Sequence, residues 1–230
     1  MSRMSILLRA AAAAFGLAAA IPAQADLRVS ELIVDLGSRE HSRDDLEVWN
    51  DSPDRSYVVA TPRQLLDPGR DPQSSRQDPD PEKLGLLVSP SRMILEPGQR
   101  RLLRIAALSG AGNQERVFRV TVKPVTGALQ AKSSGIKILV GYDLLVLVRP
   151  VIPKADVSAV RRGQSLLFTN HGNVSVEFID GRQCDQDRKI CSALGGKRLY
   201  VGSSWTVDLP PGHSAEFTLR SPGKEERRTF

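Results

Sequence analysis

Leu144 to Val148 is an unbroken apolar run that stops at Arg149-Pro150, and it constrains the fold more than any other part of the chain. A short run of this kind reads as a strand buried on both faces. Just ahead of it, Ile136, Ile138 and Val140 share one face of an extended strand, because side chains at i, i+2 and i+4 point the same way. They form a one-sided apolar edge that continues the same strand beyond the core. Burying three such side chains is worth roughly 5 to 9 kcal/mol gross, at about 1.5 to 3 each. Left exposed, such a strand is an aggregation hazard unless it has a partner. On pattern alone, the plainer reading is an ordinary core strand of a half-buried sheet.

Elsewhere helical periodicity is nearly absent. Short apolar runs recur between Pro, Gly, Asn and Asp: Leu27 to Leu36, Leu46 to Asn50, Tyr57 to Thr61, Leu84 to Val88, Arg101 to Ala107 and Val117 to Val122. Strands and turns at this spacing predict an all-β sandwich. Asp67 to Lys83 is crowded with Pro, Asp, Arg and Ser, which predicts a flexible loop. After Pro150 the proline-bounded connector 151–154 is too brief for a floppy tether. Further strands are expected at Ser165 to Thr169, Val174 to Ile179, Leu199 to Val201, Ser204 to Leu209 and Ala215 to Leu219. The turn Asn170-His171-Gly172-Asn173 offers residues that tolerate positive φ. Residues 26–150 and 155–230 are thus expected to form two domains.

Residues 1–25 carry Arg3 and Arg9, an alanine-rich apolar run from Ala10 to Ile21 and a small-x-small site at Ala23-Gln24-Ala25. This is a signal-peptide pattern, which places the mature start at Asp26 and the protein in the periplasm. Without Arg3 and Arg9, 30 basic residues face 26 acidic ones, a net charge of +4. No dense Lys/Arg block of the kind a nucleic-acid groove needs is present. Arg100-Arg101 and Arg227-Arg228 read as solvated surface or as a patch for an acidic partner.

Cys184 and Cys191 in an exported chain read as a disulfide. The short loop they close is worth roughly 2.5 kcal/mol by chain entropy. Cys-x6-Cys is the wrong spacing for a redox Cys-x-x-Cys site. His171 and His213 are not at ligand spacing for zinc.

Several segments, in order, resemble the PapD-like periplasmic chaperones of the chaperone–usher pathway. Pro90 to Gln99 followed by Arg101 to Ile105 resembles the family's D-to-E strand region, and Glu115 to Val120 its strand F. Gly135 to Pro150 is similar to strand G, and Leu167 to Asn173 to a hairpin of the second domain. The pattern is most similar to the alternate, alpha-type branch that includes common-pilus chaperones, whose second domain also carries a cysteine pair. The resemblance implies two immunoglobulin-like β-sandwich domains in an L-shaped (boomerang) arrangement with a subunit-binding cleft between them. Partners would be pilus or fimbrial subunits (pilins) and an outer-membrane usher, with no cofactor. Self-association of the free protein is a second way to cover the edge.

Within this resemblance Ile136, Ile138 and Val140 become the donor strand, lent to a subunit that lacks one of its own. Glu115 and Arg149 match positions that form an ion pair near the domain junction. In the best-known branch an arginine on strand A and a lysine on strand G anchor the subunit's terminal carboxylate. Here the strand G position is Leu145, and Ser30-Glu31-Leu32 supplies no arginine. A buried carboxylate still needs charged donors, so Arg119 and Lys137 are the candidate anchors, with Lys123 in reserve.

A pilus subunit or adhesin is the rival reading. A subunit should lack one strand and carry a spare N-terminal extension, whereas both halves here have full strand sets. Catalysis finds no support: the chain has no Gly-x-Ser-x-Gly elbow, no His-Glu-x-x-His pair and no Gly-rich phosphate loop.

Overall fold

Alternating buried and exposed side chains along short strands build two sandwiches, one on each side of the connector 151–154. The computed structural model describes residues 27–37, 41–108, 112–125 and 139–230. The signal segment expected over residues 1–25 lies outside them.

The first sandwich contains β1 (Leu27–Val29), β2 (Ile33–Leu36), β3 (Arg43–Asn50), β4 (Ser56–Leu65) and β5 (Ser75–Arg76). The short helix α1 (Pro81–Leu84) follows, then β6 (Leu86–Ser89), β7 (Arg92–Leu95), β8 (Arg100–Ala107), β9 (Arg116–Val125) and β10 (Tyr142–Val148). One sheet runs β1-β3-β8-β6; the other runs β2-β10-β9-β4-β5, with β7 also beside β4. Leu46, Val48, Leu103 and Ile105 from the first sheet pack against Phe118, Val120, Val122, Leu144 and Val146 from the second.

Three expectations need correction here. The run Leu27 to Leu36 is not one strand: β1 pairs antiparallel with β3, whereas β2 pairs parallel with β10 in the other sheet. Ser30 marks the crossing, its hydroxyl accepting from the Glu47 N–H at 3.0 Å. Residues 67–83 are also more ordered than their composition suggests. β5 pairs with Gln64 and Leu65 of β4. Asp80 then caps α1 by accepting from the Glu82 N–H at 3.0 Å, and Gly85 closes the helix at φ 83°. Leu84, expected in a strand, is instead the buried residue of that turn. Local caps supply the order that apolar content does not.

The second sandwich contains β11 (Val157–Arg162), β12 (Ser165–Asn170), β13 (Val176–Cys184), β14 (Cys191–Leu194), β15 (Lys197–Leu199), β16 (Ser204–Asp208), β17 (Ser214–Ser221) and β18 (Lys224–Thr229). Its sheets run β11-β12-β16 and β14-β13-β17-β18, with β15 also beside β13. Phe168 is the centre of the core, with ring centroids 5.0 Å from Phe178, 5.8 Å from Phe217 and 4.9 Å from Phe230. The connector is clamped by Asn173, whose Oδ1 accepts from the Lys154 N–H at 2.6 Å and whose amide donates to the Ile152 carbonyl at 2.9 Å.

Candidate functional site

The larger sheet of the first sandwich presents its outer face to the junction. On β9, Phe118, Val120 and Val122 point into the core, so Val117, Arg119, Thr121 and Lys123 point outward. On β10, Leu144, Val146 and Val148 point inward, and Asp143, Leu145 and Leu147 outward. Leu145 and Leu147 are nevertheless buried, because with Leu65 and Val117 they form a second cluster capped by Tyr200 of the other sandwich. The unbroken apolar run from Leu144 to Val148 thus serves two packing surfaces.

β10 is covered unevenly along its free side. From Leu145 to Val148 it pairs with Ile33 to Leu36 of β2, and the Leu145 N–H donates to the Leu32 carbonyl at 2.9 Å. Upstream, Tyr142 to Leu144 pair with Val122 to Val120 of β9 on one side. Among the described residues no strand pairs their other side. Backbone N–H and C=O groups at such an edge are a template for another strand.

Of the expected donor residues, Ile136 and Ile138 lie outside the described residues. Val140 is 49% exposed and precedes the strand rather than belonging to it. Continuing the β9–β10 register places Val140 opposite Pro124, which has no N–H to extend the ladder.

Arg119, expected as an anchor, sits on β9 opposite Leu145. Its Nη1 donates to the Asp143 carbonyl at 3.2 Å, and its Nε lies 3.8 Å from the Asp143 carboxylate. Arg63 of β4 stands directly opposite Arg119 and bonds the same carboxylate at 2.8 Å. Neither Arg63 nor Asp143 was among the sequence candidates. Lys137 lies outside the described residues, and Lys123 is exposed on β9.

Glu115 and Arg149 meet as a buried ion pair. The opposite side of the guanidinium holds Asp35, with Nε at 2.8 Å from Oδ1 and Nη2 at 2.6 Å from Oδ2. Burial alone would lower the Arg149 pKa; the two carboxylates outweigh it and hold it above its ordinary value. Ser175 of the second sandwich donates its N–H and its hydroxyl to Glu115 Oε2, both at 3.1 Å.

Cys184 and Cys191 are joined in a disulfide that closes the β13–β14 hairpin. Among the described residues, no group of three or more His, Cys, Asp or Glu side chains is placed to hold a metal ion. No described helix is long and apolar enough to cross a membrane.

Two sandwiches thus meet where Ser175 of the second bonds a buried ion pair of the first, and beside that junction lie a strand edge unpaired among the described residues and two guanidiniums. Residues 27–153 match the family described as pili and flagellar-assembly chaperone, PapD N-terminal domain. That stretch is more than half of the chain, and the protein belongs to this family of pilus-assembly chaperones. No curated protein matches the sequence. The class 5 fimbriae chaperone CfaA is similar with a TM-score of 0.67 at 19% identity, over 89% of this chain and 97% of that one. A chain from the complex of Salmonella enterica SafA pilin with the SafB chaperone is similar with a TM-score of 0.62 at 15% identity, over 90% and 96%. One from the CsuC–CsuE chaperone–tip adhesion subunit complex of Acinetobacter baumannii gives 0.61 at 12%, over 89% and 98%. At these identities the likeness is one of fold, two immunoglobulin-like β-sandwiches.

Proposed function

We propose that this chain is a periplasmic chaperone that binds, folds and caps pilus or fimbrial subunits and passes them to an outer-membrane usher. Binding is by donor-strand complementation: the segment carrying Ile136, Ile138 and Val140 supplies alternating apolar side chains to a subunit lacking a strand. The observation that carries this reading is the edge at Tyr142 to Leu144, which among the described residues is paired with β9 on one side only. An incoming strand gains main-chain hydrogen bonds there, and the donor side chains add apolar burial. Two similar structures are complexes of a chaperone with a pilin and with a tip adhesion subunit, which supports the same partner class. The signal-like segment 1–25 and the disulfide support export. Arg119 and Lys137 anchor the subunit's terminal carboxylate in this reading.

The test is Ile138→Asp, which places a charge inside the subunit's groove at a cost of several kcal/mol. The variant should keep its melting temperature yet fail to protect a co-expressed pilin from aggregation and proteolysis. A soluble complex at wild-type yield would sink the donor-strand assignment.

A further inference from the structure

The structure assigns the loop between β4 and β5, residues 66–74, as a latch that closes on the Tyr200–Ser203 turn of the second sandwich. Its release lets the two sandwiches rock about the contact between Glu115 and Ser175. The inference goes beyond the chaperone reading and does not depend on it.

The loop is braced within itself. The Leu66 N–H donates to the Ser74 carbonyl at 3.0 Å, and the Ser74 hydroxyl donates to Asp67 Oδ2 at 2.5 Å. The Arg70 N–H donates back to the Asp67 carbonyl at 3.3 Å. Pairing of Gln64 and Leu65 with Arg76 and Ser75 holds the base of the loop. A loop tied in this way moves as one body on its two ends.

Its tip rests on the other sandwich. The Ser203 hydroxyl donates to the Pro68 carbonyl at 3.3 Å. Gly69, at φ 79°, lays bare backbone on the Tyr200 ring, and a Cβ there would fall 2.9 Å from Cδ2. Glycine meets both demands, the left-handed backbone and the close approach. The receiving turn is itself fixed to the hinge. The Ser203 N–H donates to the Tyr200 carbonyl at 3.0 Å, the Gly202 N–H to the Asn170 carbonyl at 3.0 Å and the Asn170 N–H to the Ser203 carbonyl at 3.1 Å. Asn170 opens the turn whose last residue, Asn173, clamps the connector.

Between the latch and Glu115 lies a cavity of about 240 Å3, lined in part by Leu66, Asp67, Pro68, Gln114 and Tyr200, so the two contacts are separate holds. On the Glu115 side, its N–H also donates to the Asn173 carbonyl at 2.9 Å, which joins the ion pair and the connector into one pivot. The latch is the weaker hold: one long hydrogen bond between neutral groups and one ring contact, against charge-assisted bonds at the pivot. Closed, it keeps Tyr200 over Leu145 and Leu147 of β10. Open, it lets the ring lift from that apolar pair.

The test uses the purified full chain with Arg101→Cys and Lys224→Cys, one exposed position in each sandwich, both spin-labelled. The native cysteines are paired with each other and take no label. Double electron–electron resonance gives the distribution of distances between the labels. Gly69→Ala sets a methyl group against the Tyr200 ring and should widen that distribution about twofold or more. Gly98→Ala imposes the same left-handed strain, at φ 70°, where nothing lies within 4 Å, and should leave the width unchanged. Should Gly69→Ala misfold, Ser203→Val, which removes the donor and crowds the Pro68 carbonyl, carries the same expectation. A distribution as narrow as that of the labelled parent in the folded latch variant would overturn the inference. So would equal widening by Gly98→Ala, which would trace the effect to backbone strain, or a parent distribution already as wide as the variant's.

Discussion

Arg149 and Glu115 form an ion pair at the junction whose side chains are only 9% and 1% exposed. Ser175 reaches the same Glu115 oxygen from the second sandwich, so both halves of the molecule meet on one carboxylate. Glu115 directly precedes β9 and Arg149 directly follows β10, so the pair ties the start of one strand to the end of the other.

Removing Glu115 leaves the buried Arg149 with only the half-exposed Asp35 as counter-ion and takes the acceptor from Ser175. Glu115→Ala is expected to cost about 3 to 5 kcal/mol. Asp35→Ala removes a half-exposed partner of the same arginine and should cost about 1 kcal/mol or less. Chemical denaturation of the two variants ranks them, and equal losses would show that Glu115 is not the dominant partner.

The two sandwiches repeat one buried device. The Asn50 amide donates to the carbonyls of Asp54 and Leu95 at 2.8 and 3.0 Å, and its Oδ1 accepts from the Ser52 N–H. Asn170 does the same with Val174, Leu199 and Gly172. Substituting alanine leaves buried carbonyls without a donor, at about 1 to 3 kcal/mol for each. Asn50→Ala and Asn170→Ala should each lower the denaturation midpoint well beyond a surface control such as Lys224→Ala; parity with that control would refute the role.

The legibility of these features in the sequence differed for physical reasons. The run Leu144 to Val148 announced two buried faces because both parities are apolar, and the structure supplies both a core and a junction. The crossing of the chain between β1 and β2 stayed hidden, since alternation looks the same whichever sheet a strand joins. Asp80-Pro81 and Gly85 do carry cap signals, but the polar composition around them masked the helix. Asn170 drew notice as a turn residue, whereas Asn50 in the same role did not. Arg119 was within reach of inspection because it lies on an expected strand. Its partners were not: Arg63 and Asp143 are 80 positions apart and meet only through the registers of β4, β9 and β10.

Burial at the junction pushes the Tyr200 hydroxyl above its ordinary pKa, although Arg119 and Arg198 pull it down. A raised folded-state value means that this contribution to stability is complete below the unfolded value of about 10 and is lost as the pH rises through the folded one. Urea midpoints should therefore fall above about pH 10, and Tyr200→Phe should flatten that decline relative to wild type. An unchanged slope would mean that Tyr200 is not packed against Leu145 and Leu147.

The disulfide closes a loop from which Arg188 reaches back to the buried Glu216. Peptide mass spectrometry should find the pair two hydrogens lighter than its reduced form. Replacing both cysteines with serine should remove about 2.5 kcal/mol by the chain-entropy relation. Thiols that alkylate freely without reduction would contradict the pairing.

Val140 and Leu144 separate binding from folding along one segment. Leu144 is fully buried, so Leu144→Ala should cost about 2 to 5 kcal/mol and lower capture of a pilin only in proportion to the protein that unfolds. Val140 is half exposed just ahead of the strand, where a substitution usually changes stability by no more than about 0.5 kcal/mol. Val140→Asp should therefore melt like wild type. Its charge would enter the subunit's groove, so the yield of soluble chaperone–pilin complex in co-expression should drop severalfold at equal chaperone level. The comparison needs both readouts, because a loss of capture means little in a chain that has unfolded. If Val140→Asp captured pilin as well as wild type does, the donor segment would have to end before Val140. If it failed to fold, the edge would be part of the core.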